Sequence, residues 1–250
     1  MKKQVNVLSG GAAAAVVNGV RSEFESASGA VIQGIFSAVG QMRDQLLAGA
    51  PCDLAILTRP MVNELMASGQ LRQGSAWSLG TVRTGIAVRA GAKHPPVADR
   101  QALAAALRGA AGIYFPDPQR ATAGIHFMNV LKALGLDQEL SAALRPYPNG
   151  ATAMAEMARA DGPDLIGCTQ VTEINYTPGV ELVAPLPPEF ELATDYTLGI
   201  CSNALHPELA QQLADLLTGV ASEEIRRQGG FEPLHDASTF RSLCCSPGWA

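Results

Sequence analysis

The residues best placed to do chemistry in this chain are small ones. Ala121-Thr122-Ala123-Gly124 follows a proline-braked turn, Phe115-Pro116-Asp117-Pro118-Gln119-Arg120, and opens an apolar helical run that closes at Gly135. The first turn of a helix leaves backbone N–H groups unpaired at the positive end of its dipole, and small side chains leave them open to an anion. The design recurs at Ser9-Gly10-Gly11-Ala12-Ala13 and at Ser37-Ala38-Val39-Gly40, each behind a strand-like run. Three strand ends that deliver small residues to helix starts are what a cleft for a small anion needs. The plainer alternative at 121–124 is an ordinary capped helix, with Thr122 closing its own N-terminus.

The elements that position these turns alternate along the chain. Apolar periodicity predicts strands over 5–8, 30–35, 53–57, 82–89, 112–115, 165–168, 181–183 and 196–201. Helical spacing places Val16, Val17, Val20 and Phe24 on one side of a first helix. Further helices are predicted over 40–48, 60–68 (opened by Pro60), 100–107, from Thr122 onward, and over 150–160, 207–217 and 222–228. Ile125, Met128, Leu131 and Leu134 are expected to form the buried stripe of the fourth-from-last helix, and Met154 and Met157 to point inward from the next. This alternation predicts an α/β fold with largely parallel sheets. If the chain forms two lobes, the strands near 81–89 and 194–202 are the best crossings. Residues 231–250 lose periodicity and are expected to drape over the surface or to be disordered.

Composition narrows the function. The 250 residues are 47% hydrophobic and 16% charged, the balance of a compact protein with a sizeable core. A net charge of -5 with no basic stripe argues against nucleic-acid binding, and no apolar run reaches the length of a membrane span. Met1-Lys2-Lys3 leads straight into the first strand without an apolar segment, so no signal peptide is expected. The location is then the periplasm if an export signal was removed, and the cytoplasm otherwise. Cys52, Cys168 and Cys201 lie in or beside apolar strands as small core residues, while Cys244 and Cys245 sit in the tail. Neither these nor His94, His126, His206 and His235 have metal-ligand spacing, so no metal and no cofactor is expected.

Several segments in order resemble the type II periplasmic solute-binding proteins, in their molybdate-binding-protein-like branch. They are Leu47-Ala48-Gly49-Ala50-Pro51-Cys52-Asp53-Leu54, Ser68-Gly69-Gln70-Leu71, then Asp117-Pro118 with Thr122-Ala123-Gly124 and Leu134-Gly135-Leu136. Pro207, Ser222-Glu223-Glu224 and Gly229-Gly230-Phe231 complete the set. The resemblance spans about residues 4–231 and implies two α/β lobes joined by two crossing segments and closing over a ligand by hinge motion. Residues 1–82 with 203–231 would form one lobe, 83–202 the other, and 232–250 a tail. It also implies a small anionic ligand and an ABC-transporter permease as partner.

Side-chain hydroxyls in the first two loops hold molybdate in that branch. Here those positions carry Ala12 and Ala38 or Val39, with Ser9 and Ser37 nearby out of register, and the late tyrosine position carries Cys168. The expectation therefore shifts to an organic di- or tricarboxylate gripped by arginine, whose planar fork matches a carboxylate. Arg83 is the favoured clamp, because Thr81-Val82-Arg83-Thr84-Gly85 resembles an Arg-Ser-Gly segment of relatives without the serines; Arg59 is second, and Arg120 is more readily a surface residue. The expected ligand set is Ser9, Gly10, Gly11, Ser37, Arg59, Arg83, Thr122, Ala123 and Gln170, with Thr169 and Thr172 beside it. The branch is also similar to aconitate isomerase, which implies an alternative enzyme needing a base to move a proton. Glu173 and His126 are its candidates, then Asp117; their ordinary alternatives are a solvated helix residue, a half-buried packing residue and a turn former. A cytoplasmic metabolite sensor is the third reading.

Overall fold

The structure, a computed structural model, describes residues 2–234. The first lobe opens with β1 (Gln4–Gly10), a 3-10 turn (Gly11–Ala13), α1 (Ala14–Gly19), α2 (Arg21–Ser28), β2 (Val31–Ser37), α3 (Val39–Leu47), β3 (Leu54–Thr58) and α4 (Arg59–Ala67). A long strand, β4 (Trp77–Arg89), leads to α5 (Arg100–Gly109), β5 (Gly112–Pro116), α6 (Thr122–Ala133), β6 (Leu144–Tyr147), α7 (Gly150–Arg159), β7 (Leu165–Gln170), α8 (Val171–Tyr176) and β8 (Val180–Pro185). The chain returns through β9 (Ala193–Ile200) to α9 (Pro207–Thr218) and α10 (Glu223–Gly229).

The strands lie in the order β2-β1-β3-β9-β4-β7-β5-β6, with β8 also on β4. Pairs β1–β2, β1–β3, β5–β6 and β5–β7 are parallel, but β9 and β4 pair antiparallel with every neighbour. The sheets are therefore mixed rather than largely parallel, because β9 runs against its neighbours in the first lobe and β4 against its neighbours in the second. β4 makes the first crossing: Trp77–Arg83 pair with β9, and from Thr84 the strand pairs with β7 and β8. β9, expected as the second crossing, stays beside β3 and the first half of β4. The return runs through 186–192, where Leu186 donates to the Thr84 carbonyl and Thr84 donates to the Leu192 carbonyl.

Each lobe has its own core. Val7, Leu8, Val16, Val17, Phe24, Ile56 and Leu213 are buried in the first; Leu103, Leu107, Ile113, Phe115 and Phe127 are buried in the second. The first helical pattern is split at Val20 into α1 and α2, yet all four of its apolar residues are buried as expected. On α6 the buried stripe is Phe127, Val130 and Leu131, and Ile125 faces solvent. Met154 and Met157 are fully buried under β7. The aperiodic stretch begins with more order than expected: Phe231 is buried, and Glu232 exchanges backbone hydrogen bonds with Thr81 of β4. His235, Cys244 and Cys245 lie outside the described residues.

Candidate functional site

The starts of α3, α6 and α7 converge where the lobes meet. Gly11, Ser37, Ala38, Val39 and Tyr196 from the first lobe face Ala121, Thr122, Ala123, Asn149, Gly150, Gln170 and Glu173 from the second, around a cavity of about 20 Å³. That space holds a single water-sized group. The lobes touch around it: the Gly40 N–H donates to the Arg120 carbonyl at 3.1 Å, and Asn149 Nδ2 donates to Ser37 Oγ at 3.4 Å. A wider recess of about 400 Å³, bordered by Arg89, Ala106 and Leu165, belongs to the second lobe alone and gathers no helix start.

Local sequence explains why these helix starts remain available. Ala38 and Ala121 occupy the N-cap positions of α3 and α6, and no side chain bonds either first turn. Thr122 is thus the first helical residue and not the cap of the plainer alternative, and it lines the cavity. Asn149 does cap α7, accepting from the Thr152 N–H at 2.8 Å, which leaves the N–H groups of Gly150 and Ala151 for another acceptor.

That acceptor is Glu173. Its carboxyl receives the Thr169 hydroxyl at 2.6 Å, and the backbone N–H groups of Ala151, Gln170 and Gly150 stand close enough to favour its anion. Glu173 stands three residues after the N-cap of α8, the spacing from which a glutamate reaches back to the cap N–H. A Cβ built on Gly150 would overlap Glu173 Oε2, and one built on Gly11 would overlap Oε1. Glycine at both positions lets the carboxyl bridge the two lobes. The residue expected to be solvated is 7% exposed. Burial pushes its carboxyl above the usual carboxylate range, against the pull of those hydrogen bonds. Tyr196 lies close enough that burial, together with the Glu173 charge, raises its phenol as well. Gln170 is 2% exposed; its Nε2 lies 3.4 Å from Thr194 Oγ1, while its Oε1 has no partner among the described residues.

Of the expected ligand set, the structure brings Gly11, Ser37, Thr122, Ala123 and Gln170 to the cavity. Ser9 lies behind it with its hydroxyl on the Gly10 carbonyl, and Gly10 packs under Val39 and Tyr196. The arginines stand elsewhere. Arg59 pairs with Asp195, Arg83 pairs with Glu191 and Glu232, and neither lines the cavity. Arg120 contributes its backbone carbonyl to the lobe contact and borders an open depression at the rim. His126 is tied to the Phe190 carbonyl at 2.7 Å, and Asp117 accepts the N–H groups of Gln119 and Arg120 as a turn former. No lining residue is arginine, lysine or histidine. Sequence reading missed Asn149, Gly150 and Tyr196; an Asn-Gly pair before an alanine-rich helix was the available signal for the first two, whereas Tyr196 arrives from a distant strand.

The family described as bacterial extracellular solute-binding protein matches residues 5–232. The chain belongs to that family. It is 25% identical over 238 residues to the aconitate isomerase of a Pseudomonas species, covering 92% of this chain and 88% of that protein. It is 24% identical over 228 residues to the molybdate-binding protein ModA of Escherichia coli strain K12, covering 88% of this chain and 86% of ModA. The periplasmic molybdate-binding protein of Azotobacter vinelandii superposes with a TM-score of 0.74 over 91% of this chain and 98% of that one, at 18% identity. The two-lobed binding-protein fold expected from the resemblance is therefore the fold of this solute-binding protein, and no helix among the described residues is long and apolar enough to cross a membrane.

Proposed function

We propose that this solute-binding protein captures a small organic carboxylate between its lobes and presents it to an ABC-transporter permease. The observation that carries the reading is the convergence of the α3, α6 and α7 starts on one cavity without a basic side chain among its lining residues. Such a site recognises an anion by oriented N–H groups and hydroxyls. Thr122 and Tyr196 supply hydroxyls, Ser37 adds one on release from Gln41 Oε1 at 2.8 Å, and the α6 start and the α3 N–H groups other than that of Gly40 supply backbone donors. At about 20 Å³ the closed cavity is smaller than any di- or tricarboxylate, so capture begins with the lobes parted and ends with hinge closure around the ligand. A carboxylate is favoured over a tetrahedral oxyanion because alanine stands at the first-loop hydroxyl position and one of the two relatives matched over most of the chain is named for a carboxylate substrate.

One observation favours a second reading, an isomerase on the same scaffold. Glu173 places a buried carboxyl of raised proton affinity inside the cleft, the property required of a base that removes and returns a proton beside a substrate carboxylate. His126, tied to Phe190, is not placed to assist it.

A thermal-shift screen of di- and tricarboxylates beside molybdate, tungstate and sulfate, followed by NMR of each hit over time, tests both. A carboxylate that raises Tm and stays unchanged supports capture. Conversion of that carboxylate supports the isomerase, and stabilisation by molybdate alone refutes the carboxylate reading.

A further inference from the structure

We propose that Glu173 takes up one proton when the anion binds and, as the neutral acid, donates a hydrogen bond to the ligand, so that the protein captures an anion and a proton together. The inference deepens the proposed function and rests on the cleft being an anion site. Glu173 lines that cavity with one oxygen against Gly11 of the first lobe and the other against Gly150 of the second, so a ligand held between the lobes lies against its carboxyl. The Thr169 hydroxyl donates to Oε2, and the N–H groups of Gly150, Ala151 and Gln170 stand around the same carboxyl. An ionised carboxylate can only accept, and so meets a ligand oxygen with repulsion; the neutral acid turns that contact into a hydrogen bond. A second observation points to a ligand at the same place: buried Gln170 also lines the cavity, and its Oε1, without a partner among the described residues, is an acceptor for a hydroxyl or protonated carboxyl of the ligand.

Among the described residues, the groups around Glu173 leave no other carrier of compensating charge. The start of α7 and the turn after β1 bring glycine and alanine, β7 brings Thr169 and Gln170, and β9 brings Tyr196, whose neutral phenol is the titratable neighbour. Further along α7 Arg159 holds Glu156, and on the other elements packed against α8 the charged side chains are likewise engaged elsewhere. Arg226 of α10 bonds the Leu217 and Gly219 carbonyls, Arg227 holds Glu224, and Glu223 acts on Arg226. Glu181 of β8 holds His94, Arg83 of β4 holds Glu191 and Glu232, and Arg89 bonds the Ala160 and Gly162 carbonyls. The proton therefore comes from solvent and stays on Glu173 while the ligand is bound.

The test is isothermal titration calorimetry of the whole chain from pH 5 to 9, in pairs of buffers of different ionisation enthalpy. The probes are sulfate, whose charge is constant over that range, and whichever carboxylate the thermal screen returns. Uptake approaching one proton, with affinity falling about tenfold per pH unit above the carboxyl's own titration, is expected of the wild type. Glu173→Gln, which keeps an N–H donor and cannot ionise, is expected to bind with a flat pH profile. Flat wild-type affinity without proton uptake refutes the proposal, as does uptake that persists in E173Q. The wild-type proton count stands by itself should the variant not fold. If sulfate binds and no carboxylate does, the carboxylate reading fails while the sulfate proton count still decides the role of Glu173.

Discussion

Two carboxylates lie along the boundary between the lobes, and they are held in opposite ways. Asp195 on β9 receives the Arg59 guanidinium together with the hydroxyls of Ser78 at 2.7 Å and Thr197 at 3.0 Å. Glu173 receives only neutral donors, three backbone N–H groups and one hydroxyl. The first arrangement fastens α4 and β4 to β9 where the chain is about to cross. The second leaves a carboxyl free to change its charge. A guanidinium beside Glu173 would fix it as an anion; backbone dipoles stabilise the anion without forbidding the acid. Full positive charge thus serves the frame, and partial charge serves the cleft. At an effective dielectric of 20, two like charges about 4 Å apart repel by about 4 kcal/mol, so an ionised Glu173 beside an anionic ligand is the costly state.

The strongest way to break this contrast is to fill the space it needs. Gly150→Ala sets a methyl group where Glu173 Oε2 and Thr169 Oγ1 lie, so the carboxyl must leave its cradle or the lobes must stay apart. Overpacking of this kind costs about 1–3 kcal/mol, and ligand affinity is expected to fall by more than about tenfold, or 1.4 kcal/mol. Gly109→Ala is the control, because nothing stands within 4 Å of a Cβ there. Titration calorimetry of the two variants checks the pair: equal loss in both would mean that the cradle has no special role.

A second test reads the charge of Glu173 through stability. Its folded carboxyl titrates above the ordinary 4.5 of a free glutamate. The folded protein therefore binds the proton more tightly than the unfolded chain, and stability is lost as pH rises from that ordinary value through the raised one. Glu173→Gln removes the effect. The Tm difference between E173Q and wild type is expected to move in favour of the variant across that window and then to level off above it. A difference that is constant with pH would show that folding does not raise the proton affinity of Glu173.

The Asp195 side of the comparison predicts an effect on the frame alone. Arg59→Ala removes a charge-assisted hydrogen bond to a carboxylate that keeps two hydroxyl donors, a loss of about 1–2 kcal/mol measured by urea unfolding. Ligand affinity is expected to stay within about threefold of wild type, since Arg59 does not line the cavity.

What the sequence revealed and what it hid follow the same division. The small residues at 11, 37 and 122–123 pointed to the cleft because a helix start is a local property, written within a few residues. Most strands and helices were equally local, as Met154 and Met157 illustrate. The partners of the arginines were not: Arg59 meets Asp195 and Arg83 meets Glu232 across most of the chain, and nothing in the residues around either arginine announces those carboxylates. The burial of Glu173 was hidden for a related reason. α8 is a short helix with a polar face, which reads as solvated until Gly11 and Gly150 are brought against it from two separate segments.

Arg83 gives the smallest expected effect and the sharpest discrimination. It stands where β4 passes from one lobe to the other, with Glu191 at 3.5 Å and Glu232 at 3.0 Å, and its side chain is 34% exposed. Exposed ion pairs of this type contribute about 0–1 kcal/mol. Arg83→Ala is therefore expected to lower Tm slightly and to leave ligand affinity unchanged. A clamp acting directly on a carboxylate predicts the reverse, with stability nearly intact and binding abolished. For that to occur, the guanidinium would have to leave both glutamates and swing into the cleft as the lobes close on the ligand. The two outcomes separate cleanly in one experiment, a thermal shift with and without the carboxylate: a Tm increment on ligand addition that survives in R83A assigns Arg83 to the frame with Arg59, and leaves recognition to the helix starts and Glu173.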